Sequence, residues 1–288
     1  MYNGSLCPLC SSKSYKPFTK ATDVGYKTYD YRRCDNCHTV YLGLQLSQSE
    51  ISDIYEASYY GSNDDKKFLR PVQRAIDWFR YKRAQKVSLD ILQSSSTSAK
   101  FRCLDIGCGD GIFLAQMKQL GFDIYGTEIP GPAASRAAKI EGINLHLGNI
   151  EDAEYKEQFF NIVTMWHVIE HLPDTSQLAQ KIAWILKPGG KLHLSYPNIA
   201  SWQAQVFKKN WLHLDPPRHL WLAPPEKLIL MFEKHGFKLV STRHFSAEQN
   251  IYGIIQSLLN LLPQRRDFLY EALKGNRNGP VSDLPLLT

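Results

Sequence analysis

The sequence predicts an α/β fold in which a doubly wound, mostly parallel sheet is preceded by a small cysteine-rich ribbon. An apolar stretch that starts at Phe101 reaches Asp105 and is followed at alternate positions by Gly107, Gly109 and Gly111. Strand-like and helix-like segments then alternate along the chain, which is typical of parallel sheets. Two Cys-x-x-Cys pairs lie ahead of this region. The length of 288 residues allows one ordinary α/β domain with a small appendage.

The elements of the predicted sheet follow in a regular order. We predict a strand that runs into the glycine turn over 101–111, a helix over 112–120, and strands over 122–127, 144–148, 159–165 and 190–195. Glycine adopts positive φ readily and has no Cβ to block a ligand. The glycine turn therefore indicates a nucleotide-type cradle at the carboxyl end of the first strand.

The chemistry of the glycine loop favours S-adenosylmethionine (SAM) over a dinucleotide. The dinucleotide fingerprint is G-x-G-x-x-G, whereas the spacing here is G-x-G-x-G, and Asp105 lies two residues ahead of it. A pyrophosphate needs N–H donors and no nearby carboxylate, whereas the amino acid end of SAM has a cationic part, its ammonium group. Glu128 ends the second strand and is placed to accept ribose hydroxyls. Asn149 and Ile150 follow the third strand, where an adenine edge would lie. A purely structural glycine turn is the alternative.

At these motifs the sequence resembles the class I SAM-dependent methyltransferases over about residues 55–245. The motifs that carry the resemblance are residues 104–111, Glu128, and residues 148–152, 166–173 and 186–190. The family implies a Rossmann-like fold with SAM as the methyl donor. One departure is Asn161, because the family often has aspartate at that place on the fourth strand. The residues assigned to the cofactor are Asp105, Gly107, Cys108, Gly109, Glu128, Asn149, Ile150, Trp166 and His167.

Polar residues after the fourth and fifth strands predict the site of the methyl acceptor. Transfer to a hydroxyl requires an aligned nucleophile and a group that takes its proton. His167 is the first candidate for this base, and His171 and His219 are the others. A structural hydrogen bond is the alternative role for each histidine. The candidates for substrate binding are Tyr196, Asn198 and Arg218.

The segment from His167 to His171 also raises the question of a metal. In ubiquinone-biosynthesis O-methyltransferases, which this region resembles, a Glu-x-x-Glu-His segment is associated with a divalent cation. His167 stands here in place of the first acid, which weakens a site for Mg²⁺ because that ion prefers oxygen ligands. We therefore favour an acid–base role for these residues over a metal site.

The paired cysteines predict a second, structural site. Cys7 and Cys10 are separated from Cys34 and Cys37 by 23 residues. Four thiolates in this spacing are the ligand set of tetrahedral Zn²⁺. An alternating aromatic segment over 26–33 predicts a strand of a zinc ribbon between the pairs. Two disulfides in a secreted protein are the alternative, but the N-terminal sequence shows no signal-peptide pattern.

Charge is concentrated ahead of the sheet. The chain has a net charge of +6, and residues 66–86 contain eight Lys or Arg and one acid. Apolar residues at near-helical spacing, with Pro71 in the first turn, predict an amphipathic helix with a basic outer face. This face is either simply solvated or binds an anionic partner such as a nucleotide-sugar diphosphate, a lipid phosphate, a membrane surface or RNA.

A strongly apolar helix is predicted over 251–262, and Arg265 and Arg266 follow it. Twelve residues are too few to span a bilayer, and the sequence has no run of 18 apolar residues. The helix packs on the core, joins a homodimer or dips into a membrane interface. We expect a cytoplasmic protein, with peripheral contact at the inner face of a membrane as the alternative.

The predicted organisation has four segments. They are a zinc ribbon over 1–45, a basic helical connector with a Ser-rich loop over 46–99, a SAM domain over 100–245 with a substrate lid at about 199–225, and an apolar helix with a flexible tail over 246–288. The leading function is methyl transfer to a small-molecule or lipid-linked anionic acceptor, such as a sugar, nucleotide-sugar or glycolipid intermediate.

Other functions remain open from the sequence. A ribbon ahead of a SAM domain resembles the deoxysugar C-methyltransferases, but those carry a longer C-terminal domain, so C- and O-methylation both stay open. An RNA methyltransferase could use the ribbon and the basic helix to grip phosphates, although no base-stacking aromatic array is evident. A non-catalytic SAM-binding partner protein is the third alternative.

Overall fold

The N-terminal region forms an antiparallel ribbon. The computed structural model describes residues 2–23, 26–47, 50, 69–92, 100–262, 269, 272 and 273. The ribbon strands are β1 (Tyr2–Asn3), β2 (Tyr15–Thr22), β3 (Thr28–Cys34), β4 (Val40–Leu42) and β5 (Gln45–Leu46). β3 pairs with β2 and β4, and β1 pairs with β5, all antiparallel. Tyr29 and Tyr31 are buried while their neighbours on β3 are more exposed, so the predicted alternation is present.

The central sheet has five parallel strands in the order β10-β9-β6-β7-β8. This arrangement, with helices between the strands, confirms the predicted doubly wound α/β class. The strands and helices are α1 (Arg70–Leu92), β6 (Arg102–Ile106), α2 (Ile112–Gln119), β7 (Asp123–Glu128), α3 (Pro132–Ala137), β8 (Ile143–Leu147), β9 (Phe160–Trp166), α4 (Thr175–Ile185) and β10 (Leu186–Ser195).

The start of β10 and the contact of Asn161 are two details of the central sheet that bear on the predictions. β10 begins at Leu186 rather than at 190. Its pairing register is irregular between Leu186 and Lys191, because Gly189 takes a left-handed conformation (φ +76°) inside this segment. Asn161, the departure from the family pattern, has a structural contact. Its side-chain oxygen accepts a hydrogen bond of 3.0 Å from the backbone N–H of Arg102, the first residue of β6.

The remaining elements connect the sheet to the ribbon. They are α5 (Trp202–Phe207), β11 (Trp221–Leu222), α6 (Pro225–Glu233) and α7 (Ala247–Leu259). β11 pairs antiparallel with β4, so the ribbon sheet includes a strand from the segment predicted as a lid. Buried residues of the ribbon and of the central sheet belong to one hydrophobic cluster. The ribbon therefore packs as part of the main body, while the predicted segment boundaries remain predictions.

Parts of several predictions lie outside the described residues. These are the connector over 51–68, the Ser-rich loop over 93–99 and the tail over 276–288. Among the residues that are described, no helix is both long and apolar enough to cross a membrane.

Candidate cofactor cavity and histidine cluster

A cavity of about 180 Å³ lies at the carboxyl ends of β6 and β9, under α1. Five residues predicted for the cofactor line it, whereas Glu128, Asn149, Ile150 and His167 do not. Ile150 is buried in the hydrophobic core and Asn149 is exposed after β8, so their adenine roles remain predictions. The lining residues are Arg80, Arg83, Asp105, Gly107, Cys108, Gly109, Asp110, Phe113 and Trp166.

The glycine loop has the shape of a ligand cradle. Gly107 and Gly109 take left-handed conformations, with φ of +66° and +58°. A Cβ on Gly107 would lie 2.6 Å from Cγ2 of Val168, so a larger residue is excluded there by the protein itself. A Cβ on Gly109 would meet no atom within 4 Å. Gly109 therefore suits the left-handed backbone conformation, and the space beside it is open to a ligand.

Glu128 is buried at the end of β7 and is held against the glycine loop. Its Oε2 accepts a hydrogen bond of 2.6 Å from the Gly109 N–H, and its Oε1 accepts one of 3.1 Å from the Ile129 N–H. A carboxylate has about four lone-pair sites. This leaves acceptor capacity beside the loop, and the assignment of Glu128 to the ribose hydroxyls stays a prediction.

Asp105 is a buried acid at the floor of the cavity. Burial raises the pKa of its carboxyl to about 7, against the lowering effects of a hydrogen bond from Thr164 and of the Arg83 charge. The Thr164 hydroxyl donates that bond to Oδ1 over 2.6 Å. A buried carboxyl that ionises near neutral pH is suited to accept a cationic ligand, because the ligand's charge replaces lost hydration.

Arg80 and Arg83 reach the same cavity from α1, which the sequence analysis missed. The Arg83 guanidinium lies 4.7 Å from the centre of the Trp166 ring, and Arg80 lies 4.0 Å from Asp110. The predicted basic outer face of the helix is thus wrong for these two arginines, which turn inward. The spacing of Arg80 with the buried residues Ala84 and Val87 (i, i+4, i+7) is a signal that could have placed it on the inner face.

We expect Arg83 to bind the carboxylate of the methionine end of SAM. Arg83→Gln should weaken SAM binding by about 10- to 100-fold, because a charge-assisted hydrogen bond contributes roughly 1.5–3 kcal/mol. Calorimetric titration with SAM measures the change. Arg74→Gln is the matched control, since Arg74 is exposed on the same helix. Equal SAM affinities for wild type and Arg83→Gln would contradict this role.

A cluster of histidines surrounds Glu170 directly after β9. Glu170 is fully buried, and neither oxygen of its carboxylate has a hydrogen bond within the described structure. Nδ1 of His167 lies 3.5 Å and Nε2 of His219 lies 3.8 Å from Oε1 of Glu170. The other ring nitrogen of His167, Nε2, lies 3.2 Å from the Ser195 hydroxyl. The His213 ring stacks near His167, with ring centres 6.3 Å apart.

The pKa shifts of the buried residues in the cluster differ in their cause and in the charge state they favour. Burial raises the pKa of Glu170, but the contact with His167 and the nearby His171 and His219 outweigh it and lower that pKa to about 2. Burial lowers the pKa of His171 to about 4 and that of His213 to about 3. At neutral pH the cluster therefore contains an ionised Glu170 together with uncharged His171 and His213.

His167 has an unusual backbone. Its φ is +56°, a left-handed value that non-glycine residues rarely adopt. Strained backbone of this kind persists where the surrounding structure imposes it, often at functional sites. Its side chain is 28% exposed, whereas that of His219 is 8% exposed. His167 therefore combines solvent access with a fixed orientation between Glu170 and Ser195.

Glu170, His171 and His219 could also hold a metal ion. One ligand atom from each lies within 4.8 Å of the others. Nδ1 of His171 and Nδ1 of His219 are hydrogen-bonded to backbone carbonyls at 2.8 and 2.7 Å. That contact directs the other ring nitrogen away from the backbone, as in metal-ligating histidines. Two imidazoles and one carboxylate suit a transition metal better than Mg²⁺.

The three predicted substrate-binding residues differ in their contacts. The Tyr196 hydroxyl is buried with no hydrogen bond to a described residue, and burial raises its pKa. The Asn198 side chain accepts a hydrogen bond from the Ala200 N–H, a local structural role. Arg218 is ion-paired with Asp215. Tyr196 is therefore the one with an unsatisfied polar group to offer to a substrate.

The ribbon contacts the loop that carries His219. The Tyr31 hydroxyl lies 2.6 Å from the carbonyl oxygen of Leu214 and 3.2 Å from that of His219. The Tyr2 hydroxyl lies 2.9 Å from the carbonyl oxygen of Leu42 and 3.0 Å from that of Leu220. Together with the β4–β11 pairing, these contacts join the ribbon to the histidine cluster.

The four ribbon cysteines converge on one point. Sulfur–sulfur distances are 3.4 Å for Cys7–Cys37 and 3.5 Å for Cys10–Cys34, and all four sulfurs lie within 4.8 Å of one another. A disulfide has an S–S length of about 2.05 Å, whereas thiolates on a tetrahedral Zn²⁺ with bonds of about 2.3 Å lie about 3.8 Å apart. The geometry fits the predicted zinc ligands, and the cysteines are not bonded to one another.

The comparisons with known proteins agree with this architecture. Residues 60–242 match a family model described as "Methyltransferase domain". That match covers more than half of the sequence, so the chain belongs to this family, and its fold is that of the class I SAM-dependent methyltransferases. A ubiquinone biosynthesis O-methyltransferase from Nitrobacter winogradskyi is 30% identical over 161 residues, which are 50% of this chain and 59% of that protein.

Other relatives extend the comparison. An enzyme of the same name from Xanthomonas oryzae pv. oryzae is 32% identical over 119 residues, covering 39% of this chain and 49% of the relative. The chain thus spans about half the length of these two curated relatives. Among solved structures, the YcgJ protein of Bacillus subtilis has a TM-score of 0.50 at 17% identity, covering 65% of this chain and 82% of that one.

A further similar structure is phosphoethanolamine N-methyltransferase 2 of Haemonchus contortus in complex with SAM. Its TM-score is 0.53 at 16% identity, and the alignment covers 82% of this chain and 57% of that chain. At such identities the likeness of both structures concerns the fold.

Proposed function

We propose that this protein is a SAM-dependent methyltransferase that transfers a methyl group to a hydroxyl of a small-molecule acceptor, with His167 as the general base. The observation that carries the proposal is the Ser195–His167–Glu170 arrangement one residue beyond Trp166, which lines the cofactor cavity. The names of the curated relatives, which are O-methyltransferases, support a hydroxyl acceptor.

The cavity fits the methionine end of SAM by its donors and acceptors. Asp105 offers a carboxylate for the ammonium group, Arg80 and Arg83 offer cations for the carboxylate, and Gly109 leaves open space at the loop. Glu128 lies next to the loop for the ribose. When bound, SAM supplies an activated methyl group for direct displacement.

The histidine cluster then handles the acceptor proton. With Nδ1–H of His167 directed at the Glu170 carboxylate, Nε2 carries the lone pair and faces Ser195. A hydroxyl that approaches Nε2 beside Ser195 gives up its proton to the imidazole. The imidazolium that forms is stabilised by Glu170, which is ionised at neutral pH. Neither carboxylate oxygen of Glu170 has a hydrogen bond to a described residue, so its charge is available for this role.

The identity of the acceptor beyond a hydroxyl is open. A sugar, nucleotide-sugar or glycolipid intermediate remains a prediction. Incubating the protein with methyl-labelled SAM and an extract of its source cells, then fractionating the label, tests it. Label in a nuclease-resistant small-molecule or lipid fraction supports this function. Label in nuclease-sensitive material would establish the RNA alternative, and SAM binding without any transfer would establish the partner-protein alternative.

His167→Ala should lower label transfer by about 10²- to 10⁴-fold, the usual contribution of general base catalysis. SAM affinity measured by calorimetry should stay as in wild type, because the side chain does not line the cavity. His235→Gln is the matched control, since that histidine lies at the end of α6 beside Ser176. Undiminished transfer by the His167 variant would exclude this residue as the base.

A further inference from the structure

The helix α7 buries two polar side chains on its inner face, beside Gly253 and Ile254. Gln256 and Ser257 are fully buried, while Ile251, Ile255 and Leu258 are 55%, 42% and 51% exposed. The exposed positions recur at i, i+4 and i+7, so they form one stripe along the helix. A helix on a globular surface normally presents the reverse arrangement, with its apolar stripe toward the core.

The orientation is held by hydrogen bonds on the inner face. The Ser257 hydroxyl accepts a bond of 3.0 Å from the Leu212 N–H. The Asn260 amide donates one of 3.1 Å to the carbonyl of Asn210, and the Gln256 amide donates one of 2.9 Å to Asn260. Turning the stripe inward would break these contacts and leave the Leu212 N–H and the Asn210 carbonyl without these partners. The outward apolar stripe is therefore a stable feature of the fold.

Neighbouring elements extend the exposed apolar surface. α7 packs against α5, on which Trp202 and Val206 (i, i+4) are 58% and 64% exposed. Leu262 continues the stripe one turn beyond α7, and Phe245 lies just before it, exposed by 57% and 68%. Exposed apolar side chains on neighbouring elements are typical of an interaction site. We call these seven residues the apolar face: Trp202, Val206, Phe245, Ile251, Ile255, Leu258 and Leu262.

The charges beside the apolar face identify the partner. The exposed Lys208 and Lys209 follow α5 directly, and the exposed Arg243 precedes Phe245 by two residues. In the sequence, Arg265, Arg266 and Asp267 follow Leu262, outside the described residues. Aromatic and aliphatic side chains flanked by Lys and Arg are the composition of helices that lie in the interface of anionic bilayers. A second copy of the chain would bring these cations toward each other, which is repulsive.

We propose that the apolar face docks on the surface of an anionic lipid bilayer, with the flanking Lys and Arg side chains at the headgroups. Since α7 is shorter than a membrane span, the helix would lie in the plane of the interface. This docking is independent of the proposed methyl transfer, because none of the residues of the apolar face lines the cofactor cavity.

Co-sedimentation of the full chain with vesicles tests the proposal. Wild type should pellet with vesicles of phosphatidylcholine and phosphatidylglycerol and much less with phosphatidylcholine alone, and added salt should weaken the binding. The double variant Ile255→Glu/Leu258→Glu should reduce partitioning by at least about tenfold, since each side chain loses its apolar burial in the bilayer. Leu230→Glu, on α6 and 50% exposed, should pellet like wild type.

Thermal melts of each variant confirm that it folds, and light scattering after size exclusion reports the oligomeric state. Failure of wild type to pellet with anionic vesicles would overturn the proposal. Pelleting that is equal for wild type and the double variant would also overturn it, by showing that binding depends on charge elsewhere. A wild-type dimer that the double variant converts to monomer, without vesicle binding, would establish the second copy as the occupant.

Discussion

Replacing Asp105 with asparagine is expected to lower the affinity for SAM by about 10- to 100-fold, the range of a lost charge-assisted hydrogen bond. Asparagine keeps the volume of the side chain and can still accept the hydrogen bond from Thr164. It removes the negative charge that would face the ammonium group in the cavity. Calorimetric titration with SAM measures the effect.

The same variant tests the electrostatics of the cavity. With the pKa of Asp105 near 7, the carboxyl is mostly protonated at pH 6 and ionised at pH 8. Wild type should therefore bind SAM more tightly as pH rises from 6 toward 7, whereas Asp105→Asn should show a flatter dependence. Asp123→Asn, at the exposed start of β7, is the control. Equal SAM affinity for wild type and Asp105→Asn would remove Asp105 from the cofactor site.

The free energy of unfolding should fall as pH rises, whereas the affinity for SAM should increase. A raised pKa in the folded state means that the folded protein holds the Asp105 proton more tightly than the unfolded chain does. Its contribution is fully present below the ordinary pKa of an aspartate, near 3.9, and is lost as pH rises through about 7. Without SAM, the free energy of unfolding of wild type should therefore fall, relative to Asp105→Asn, between about pH 4 and pH 7.

Removing one ribbon cysteine is expected to disrupt the acceptor side of the molecule while leaving the cofactor cavity intact. Cys34→Ser should abolish the binding of about one Zn²⁺ per chain, because a four-thiolate site loses a ligand. Metal affinity contributes directly to folding in small zinc sites, by roughly 10–16 kcal/mol in model peptides. The ribbon should therefore lose its order and the melting temperature should fall.

The consequence at the histidine cluster follows from the contacts of the ribbon. The Tyr31 hydroxyl donates hydrogen bonds to the carbonyl oxygens of Leu214 and His219, and β4 pairs with β11. Loss of these contacts should displace the loop that carries His219 and reduce label transfer, while SAM binding at the glycine loop continues. Elemental analysis, calorimetry and the label-transfer assay report the three effects separately.

Cys103→Ala is the matched control, since this buried thiol lies in β6 and outside the cysteine cluster. Protein that contains no zinc as purified, with oxidised Cys7 and Cys34, would favour disulfides. Zinc loss with unchanged label transfer would show that the ribbon does not position the cluster.

Much of the fold could be predicted from the sequence because its signals are local. The glycine loop after β6, the alternation of strands with helices, and the spacing of the four cysteines each depend on residues close together in the chain. Backbone conformation at Gly107 and ligand spacing in Cys-x-x-Cys are properties of a few neighbouring residues. These features predicted the class of fold, the cofactor and the ribbon ligands.

The tertiary structure decided which distant residues meet. Arg80 and Arg83 belong to a basic helix whose local sequence suits a solvated face, yet packing of α1 on α2 turns them into the cofactor cavity. The pairing of β11 with β4 joins residues about 180 positions apart and makes the predicted lid part of the ribbon sheet.

The orientation of α7 also required the tertiary structure. Its sequence indicates an apolar helix, but only the hydrogen bonds of Ser257 and Asn260 to the 210–212 loop show which side faces inward. Similarly, the three candidate histidines could be named from the sequence, but only the folded structure shows that the side chain of His167 is 28% exposed and that of His219 is 8% exposed. Local sequence determines backbone preferences and ligand spacing, whereas burial and electrostatic environment depend on contacts made only when the chain is folded.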